Sequence, residues 1–296
     1  MFDSVSRSNP PAVPDARVPT SVRGDSVLRA CFARTQDRTQ ERIGDHARAH
    51  THVARIHERG SLRLRFPRTS GQREAVIVNT GGGITGGDRL TIELQLEAGA
   101  ALTATSQAAE KIYRTDSDPA RITITARLDD GARLDWLPQE TILFERAAVE
   151  RTLDIEMAAS ARLTMLECLV LGRIAHGEVL HDARWRDRWR IRRDGRLVFA
   201  EDLRLSGDIA VTMERAALGD GARALATLLH IAPDAHARLD AVRVALADGD
   251  ALCGASAWNG MLIVRFASAD PRAVRDSAIR ATMAITDRPL PRAWGC

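Results

Sequence analysis

Aromatic side chains are scarce in this 296-residue chain: they make up 4% of it, with a single tyrosine. Any core must therefore be built from Ala, Leu, Ile and Val. At 45% hydrophobic content there is enough of them for one large domain or two modest ones, which excludes disorder throughout. Lysine is scarcer still, since Lys111 is the only one among 42 basic residues. The formal charge of +3 is small for this length, so net charge does not point to a general nucleic-acid binder. Cys31, Cys168, Cys253 and Cys296 lie far apart, without C-x-x-C spacing and with no secretory apolar segment ahead of them. Reduced thiols in the cytoplasm are the expectation. Long apolar runs are also missing: "LTMLECLVLG" is about half the ~20 residues a membrane span needs and is broken by Glu167, so no membrane partner is expected.

The N-terminal stretch is rich in Pro, Ser and Arg without apolar periodicity, and residues 1–45 read as a flexible tail. Acidic Asp3, Asp15, Asp25 and Asp37 argue against an organelle transit peptide. From about Arg63 to Leu205 the apolar residues alternate with period two, which predicts strands. Three segments repeat when aligned on Gly99, Gly131 and Ser160: "TIELQLEAGAALTAT", "TITARLDDGARLDWL" and "LDIEMAASARLTML". In each, apolar residues fall seven, five and three positions before the turn and three and five after it, as at Ile92, Ile124 and Leu153 or at Leu102, Leu134 and Leu163. Near-regular spacing of strand-turn-strand units predicts layers stacked in register, a solenoid-like β-repeat domain over residues 46–215. The segments after each unit carry Lys111, Tyr113, Arg114, Glu140, Glu145, Glu167, His176, Glu178 and His181, and so share one side of the repeat.

After about Leu218 the pattern changes. "ARALATLLHIAP" and "GMLIVRFAS" read as strands, and "DAHARLDAVRVAL" and "DPRAVRDSAIRATMAI" as helices with Asp234 and Asp270 as caps. Residues 216–296 are thus expected to form a small α/β unit with two helices, packed on the same core.

"NTGGGITGGDRL", Asn79 to Leu90, has the glycines of a phosphate loop without its chemistry. A Walker loop needs Lys and Ser/Thr after the last glycine, whereas Gly87 is followed by Asp88, whose charge repels phosphate. A Rossmann loop needs a helix next, but "DRLTIELQL" is a strand, so no helix N-terminus faces the glycines. A sharp turn in which Gly82, Gly83, Gly86 and Gly87 supply positive φ is the reading that remains.

Metal ligands are suggested twice. His46, His50, His52 and His57 cluster, but with no carboxylate or thiolate at ligand spacing a solvated group is the plainer reading. His176, Glu178, His181 and Asp182 mix imidazole with carboxylate, and metal contact there stays open. Lys111, beside Glu110, is more simply structural than catalytic. "RWRDRWRIRRDGR" invites a nucleic-acid reading, but alternation turns Trp185, Trp189 and Ile191 inward and Arg184, Arg186, Arg188, Arg190 and Arg192 outward. An acidic protein partner is as good a match for that edge as RNA. A β-solenoid enzyme acting through Lys111 and Tyr113 is the alternative from another class.

Taken together, "NTGGGITGGDRL", "AAEKIYR", "GARLDWLPQETILFERA", "ECLVLGRIAHGE" and the terminal "LPRAWGC" resemble, in the same order, the UreD (UreH) family of urease accessory proteins. The resemblance covers roughly Arg55 to Cys296. It implies a mainly β, solenoid-like fold with two helices and a non-enzymatic chaperone of nickel insertion. The partners it implies are apo-urease, the accessory protein UreF and, through UreF, the GTPase UreG, which binds the nucleotide. Nickel is implied as cargo moving through an internal channel. Matching motif positions then propose Asp88, Glu140, Glu145 and Glu178, with His176, as the metal path and Thr85 and Gln139 as neutral liners. Lys111, Tyr113 and Arg114 are assigned to holding the insert's shape or meeting a partner.

Overall fold

The computed structural model describes residues 24–35, 50–68, 72–116 and 118–295. Two β-sheets dominate. Numbered along the chain, sheet A runs β14 (Arg196–Gly207), β13 (Ala183–Arg193), β11 (Ala148–Met157), β8 (Ala120–Leu128), β5 (Arg89–Leu96), β1 (Asp25–Arg34), β2 (Thr51–Arg59). Sheet B runs β16 (Leu252–Trp258), β17 (Met261–Ser268), β15 (Ala224–Ile231), β12 (Arg162–Leu171), β9 (Arg133–Trp136), β6 (Ala101–Ser106), β4 (Arg73–Asn79), β3 (Leu62–Arg65). Beside β12 lies the short β10 (Thr141–Leu143), and beside that β7 (Glu110–Ile112).

The repeat read from the sequence is present residue for residue. Each unit is one strand in sheet A, a turn, and one strand in sheet B, and like strands pair in parallel. Ile92 aligns with Ile124 and Ile124 with Leu153 in sheet A; Leu102 aligns with Leu134 and Leu134 with Leu163 in sheet B. The turns stack as well: the amide of Gly99 donates to Asp130 O at 2.8 Å and that of Gly131 to Ser160 Oγ at 3.0 Å. Because each turn changes sheet, the apolar residues on both sides of it point into the same space, and the two inner faces share one continuous core.

The helical layer lies against sheet B. α3 (Pro271–Thr286) begins where the Asp270 side chain accepts from the Arg272 amide at 2.9 Å, with Pro271 in the first turn, as its sequence predicts. It buries Val274, Ala278, Ala281 and Ile285 against a second apolar cluster with Leu166, Cys168 and Phe266. That is why "LTMLECLVL" is apolar nearly throughout: β12 is covered on both faces, where alternation no longer serves. The second predicted helix differs at its start. A 3₁₀ turn, Ala235–Arg238, precedes α2 (Leu239–Leu246), and the Asp234 side chain caps nothing; it pairs with Arg162 at 2.5 Å instead. A further short helix, α1 (Ile209–Met213), and the strand β16 carry too weak a pattern to be read from sequence.

The N-terminal expectation needs correction. Residues 25–34, assigned above to the tail, form β1, which pairs with β5 on one side and β2 on the other. Leu28 and Phe32 are fully buried there, and burying two such side chains stabilises a fold by roughly 1.5–3 kcal/mol each. One short strand flanked by Pro-, Ser- and Arg-rich sequence offers too few turns of the pattern to be seen. His46 and the rest of residues 36–49 lie outside the described residues.

Candidate functional site: the insert end and the charges between the sheets

The segments that follow the repeat units gather at one end. Ile84 of the glycine stretch bridges Ile112, Ile112 pairs with Leu143, and Leu143 with Leu171, so four inserts stack in a short ladder of their own. The glycine stretch is its outermost layer. It is a crossing from β4 in sheet B to β5 in sheet A, not a hairpin within one sheet, and it consists of two short turns around the bridged Ile84. Gly82, Gly83 and Gly87 have φ of 75°, 144° and 83°, whereas Gly86 does not have positive φ; it is there for space. A Cβ on Gly86 would lie 1.7 Å from Thr115 Oγ1, and one on Gly83 would lie 2.3 Å from the Tyr113 ring.

Several backbone amides of this loop are already engaged. Gly81 N donates to Asn79 Oδ1 at 3.0 Å, Ile84 N to Lys111 O at 2.8 Å, and Thr85 N to Asp88 Oδ2 at 2.9 Å. The other Asp88 oxygen accepts from Gly24 N at 2.8 Å, so this carboxylate clamps the loop to the start of β1. Thr85 Oγ1 donates to Arg114 O at 3.2 Å, and Tyr113 OH donates to Gly82 O at 3.1 Å. Lys111 is exposed on β7, next to Glu110. Glu110 is held by the Asn79 amide at 3.2 and 3.3 Å, yet burial outweighs those bonds and pushes its carboxyl up to about 7.

Two more of the proposed acids meet at this end. Glu145 accepts from the amides of His181 at 2.8 Å and Asp182 at 3.2 Å, and its own amide donates to Glu178 Oε1 at 3.3 Å. Glu178 takes two bonds from the Arg173 guanidinium, at 2.9 and 3.0 Å, and one from the Arg173 amide. Arg173 holds the Glu178 carboxyl below the usual carboxylate range. The same guanidinium lies 4.7 Å over the Phe144 ring, which packs edge-on to Tyr113 at 5.1 Å. His176 is exposed, and His181 pairs with Asp208 at 3.1 Å.

Glu140 and Gln139 lie elsewhere, under the helical layer. Arg275 of α3 pairs with Glu140, donates to Gln139 Oε1 at 2.9 Å and to Trp294 O at 2.8 Å, and stacks on the Trp294 ring at 4.6 Å. Trp294 Nε1 in turn donates to Leu137 O at 3.0 Å. The terminal "LPRAWGC" segment is thus tied to "LPQET" through one arginine. The five proposed metal residues do not converge: among the described residues no group of three or more His, Cys, Asp or Glu is placed to hold a metal ion.

What the sequence reading did not assign is a charged network inside the core. Arg151 of β11 makes a bidentate pair with Asp187 of β13, at 2.9 and 2.6 Å, and reaches across to Glu167 of β12 in the opposite sheet. Trp136 Nε1 donates to Glu167 at 2.7 Å, Trp189 Nε1 donates to Asp187 at 2.9 Å, and the Arg151 guanidinium lies 5.0 Å from the Trp185 ring. All three ionisable groups are buried. Burial works against the Arg151 charge, but Asp187 and Glu167 together hold it charged; burial raises the Glu167 carboxyl despite Arg151 beside it. Its neighbour Cys168 faces the helical layer, and its thiol is pushed well up by burial and by the charges of Glu140 and Glu167. The signal was legible as parity: Asp187 sits between inward Trp185 and Trp189, and Glu167 is the one charge in an apolar run.

The family model for UreD urease accessory protein matches residues 38–295. This chain belongs to the UreD family. Urease accessory protein UreD 2 of Methylorubrum populi is 49% identical over 94% of this chain and 92% of its own length. UreD of Xanthobacter autotrophicus is 47% identical over 82% and 84%, and UreD 1 of Bradyrhizobium is 41% identical over 93% and 98%. The family motifs quoted from the sequence are the parts just described: the glycine crossing, the β7 and β10 inserts, the Glu167 strand with its Arg173–Glu178 turn, and the docked Trp294 segment. No helix among the described residues is long and apolar enough to cross a membrane.

Proposed function

We propose that the chain is a non-enzymatic scaffold for urease maturation in the cytoplasm, which joins apo-urease to UreF, and through UreF to the GTPase UreG, and passes nickel toward the urease active site. Membership of a family named for its accessory role supports the first part. The observation that carries the second is the placement of carboxylates across the layers. Glu140 lies under α3, Glu167 on the inner side of the same sheet, and Asp187 on the facing sheet, with Arg275 and Arg151 as their counter-charges. A borderline divalent cation in transit needs oxygen donors that release it, and a closed Cys/His cage would not. Each of these three carboxylates has a guanidinium, Arg275 or Arg151, that can pair with it again once the cation has moved on. Asp88, Glu145 and Glu178 bind backbone amides or Arg173, so in this reading they give the insert end its shape as well as its negative charge. His176 is exposed on the turn that precedes Glu178 and is the imidazole assigned to that path.

The test is urease co-expressed in nickel-replete cells with the chain, without it, and with Glu167→Gln. Urease without the chain should be metal-poor and inactive; full activity there would sink the proposal. With Glu167→Gln, complexes with UreF and apo-urease should persist while the nickel bound to urease falls. Unchanged nickel content would remove Glu167 from the path.

A further inference from the structure

Each sheet has two edges, and among the described residues three of the four are guarded. β2 carries Arg55, Glu58 and Arg59; β14 carries Arg196, Glu201, Asp202 and Arg204; β3 is only four residues long with Arg63 and Arg65. Charge and shortness are what keep exposed edges from pairing with other chains. β16, "LCGASAW", has no charged residue and no proline over seven residues. It exposes 73% of Leu252 and 41% of Trp258, and Val244 of the adjacent α2 is 76% exposed.

Its free hydrogen-bonding groups can be placed. Trp258 pairs with Met261 across a two-residue turn in which Asn259 and Gly260 have φ of 49° and 71°, the geometry of a type I′ hairpin. The closing pair exchanges both bonds, so by alternation Leu252, Gly254, Ser256 and Trp258 bond to β17, and Cys253, Ala255 and Ala257 turn their N–H and C=O outward. Of these outward groups the Ala255 carbonyl has a long contact from Arg243, at 3.4 Å.

We propose that β16 is a self-association edge, at which two copies of this chain pair antiparallel about a two-fold axis through Ala255. Three features favour a second copy over an unrelated strand. First, the strand is self-complementary in that register: Leu252 falls opposite the partner's Trp258, so each exposed apolar side chain covers the other, while the small Gly254 and Ser256 meet in the middle. Second, all three outward residues find outward residues, Ala255 opposite itself and Cys253 opposite the partner's Ala257. Third, charge is complementary at both ends. The register brings exposed Asp250 to the partner's Asn259–Gly260 turn, where Arg193 donates to Asn259 O at 3.0 Å and lies along Gly260. The two-fold repeats that opposite-charge pairing at the other end.

The test is the solution mass of the full chain by sedimentation over a range of concentrations. A reversible dimer is expected. Gly254→Lys places a charge on the edge at a position where a Cβ meets nothing within 4 Å, so the monomer should fold as before while the affinity of dimer association falls by roughly 100-fold or more. Asp250→Arg should weaken it less, and adding Arg193→Asp should restore it. In a Cys253→Ser background, Ala255→Cys should form an intermolecular disulfide at residue 255, because the symmetric pair sits about 5.5 Å apart between Cα atoms. A monomer at every concentration, including one whose β16 is covered only by a different protein, would overturn the proposal. So would a dimer that survives Gly254→Lys with its mass unchanged.

Discussion

Sheet A contributes to two arginine–carboxylate triads, one on each of its faces, and they behave as different chemistry. On the inner face Arg151 links Asp187 and Glu167; on the outer face Asp202 of β14 links Arg186, at 3.0 Å, and Arg204, at 2.5 Å. Arg186 and Asp187 are neighbours in sequence, and the strand pleat alone sends one to water and the other to the core. Outside, water and salt screen each charge, and the Asp202 carboxyl is held low, first by Arg204 and then by Arg186. Inside, no solvent is left to replace a missing partner. The pair geometry that is optional on one face is obligatory on the other.

The largest effect is expected from Arg151→Met. It strands two carboxylates among tryptophans, and a loss of about 3–5 kcal/mol in denaturant unfolding is expected, the magnitude for removing one partner of a buried pair. Replacing Arg151 together with both carboxylates by apolar residues should recover much of that loss, since no charge is then left uncompensated. If the single substitution is harmless, water reaches the network and the inner triad is not dry.

Glu110 at the glycine crossing sharpens the contrast through pH. Its folded carboxyl titrates near 7, above the ordinary 4.5, so between those values the folded chain binds the extra proton. Stability should fall as pH rises from about 4.5 to about 7 and level off above, by up to roughly 3 kcal/mol from this group. Burial raises Glu167 in the same sense. Glu110→Gln, which keeps an acceptor for Asn79, should flatten that slope; an unchanged profile would assign it to other groups.

For the outer triad, the depressed Asp202 carboxyl works with the opposite sign, its contribution being present above the unfolded value and lost on acidification. Asp202→Asn and Arg186→Met should nevertheless leave the unfolding midpoint unchanged within error at neutral pH and physiological salt. A clear shift would mean that the outer face is less solvated than its exposure indicates.

How far the sequence could be read follows the same division. The period-two alternation and the turn offsets located every repeat strand and its inward residues, because each strand's burial pattern is written in its own sequence. The α3 cap at Asp270 was legible for the same reason. β1 was not: its ten residues are held by β2 and β5, which are 17 and 55 positions further on at their first residues (Thr51 and Arg89 against Arg34). Asp187, Arg151 and Glu167 occupy inward positions that the sequence reading did not assign, with Glu167 grouped among the inserts; only their partners make an inward charge tolerable, and those lie on three different strands.

"NTGGGITGGDRL" shows where the boundary falls. Composition alone determined that it turns, that Asp88 stands where a phosphate loop has lysine, and that strands flank it. Tertiary structure decided that the turn changes sheets, that Gly86 yields its space to Thr115, and that Asp88 holds Gly24. Local alternation is an interaction of each residue with the average interior, so sequence carries it. A clamp or a buried ion pair is an interaction between particular atoms far apart in the chain, and only the assembled layers bring those atoms together.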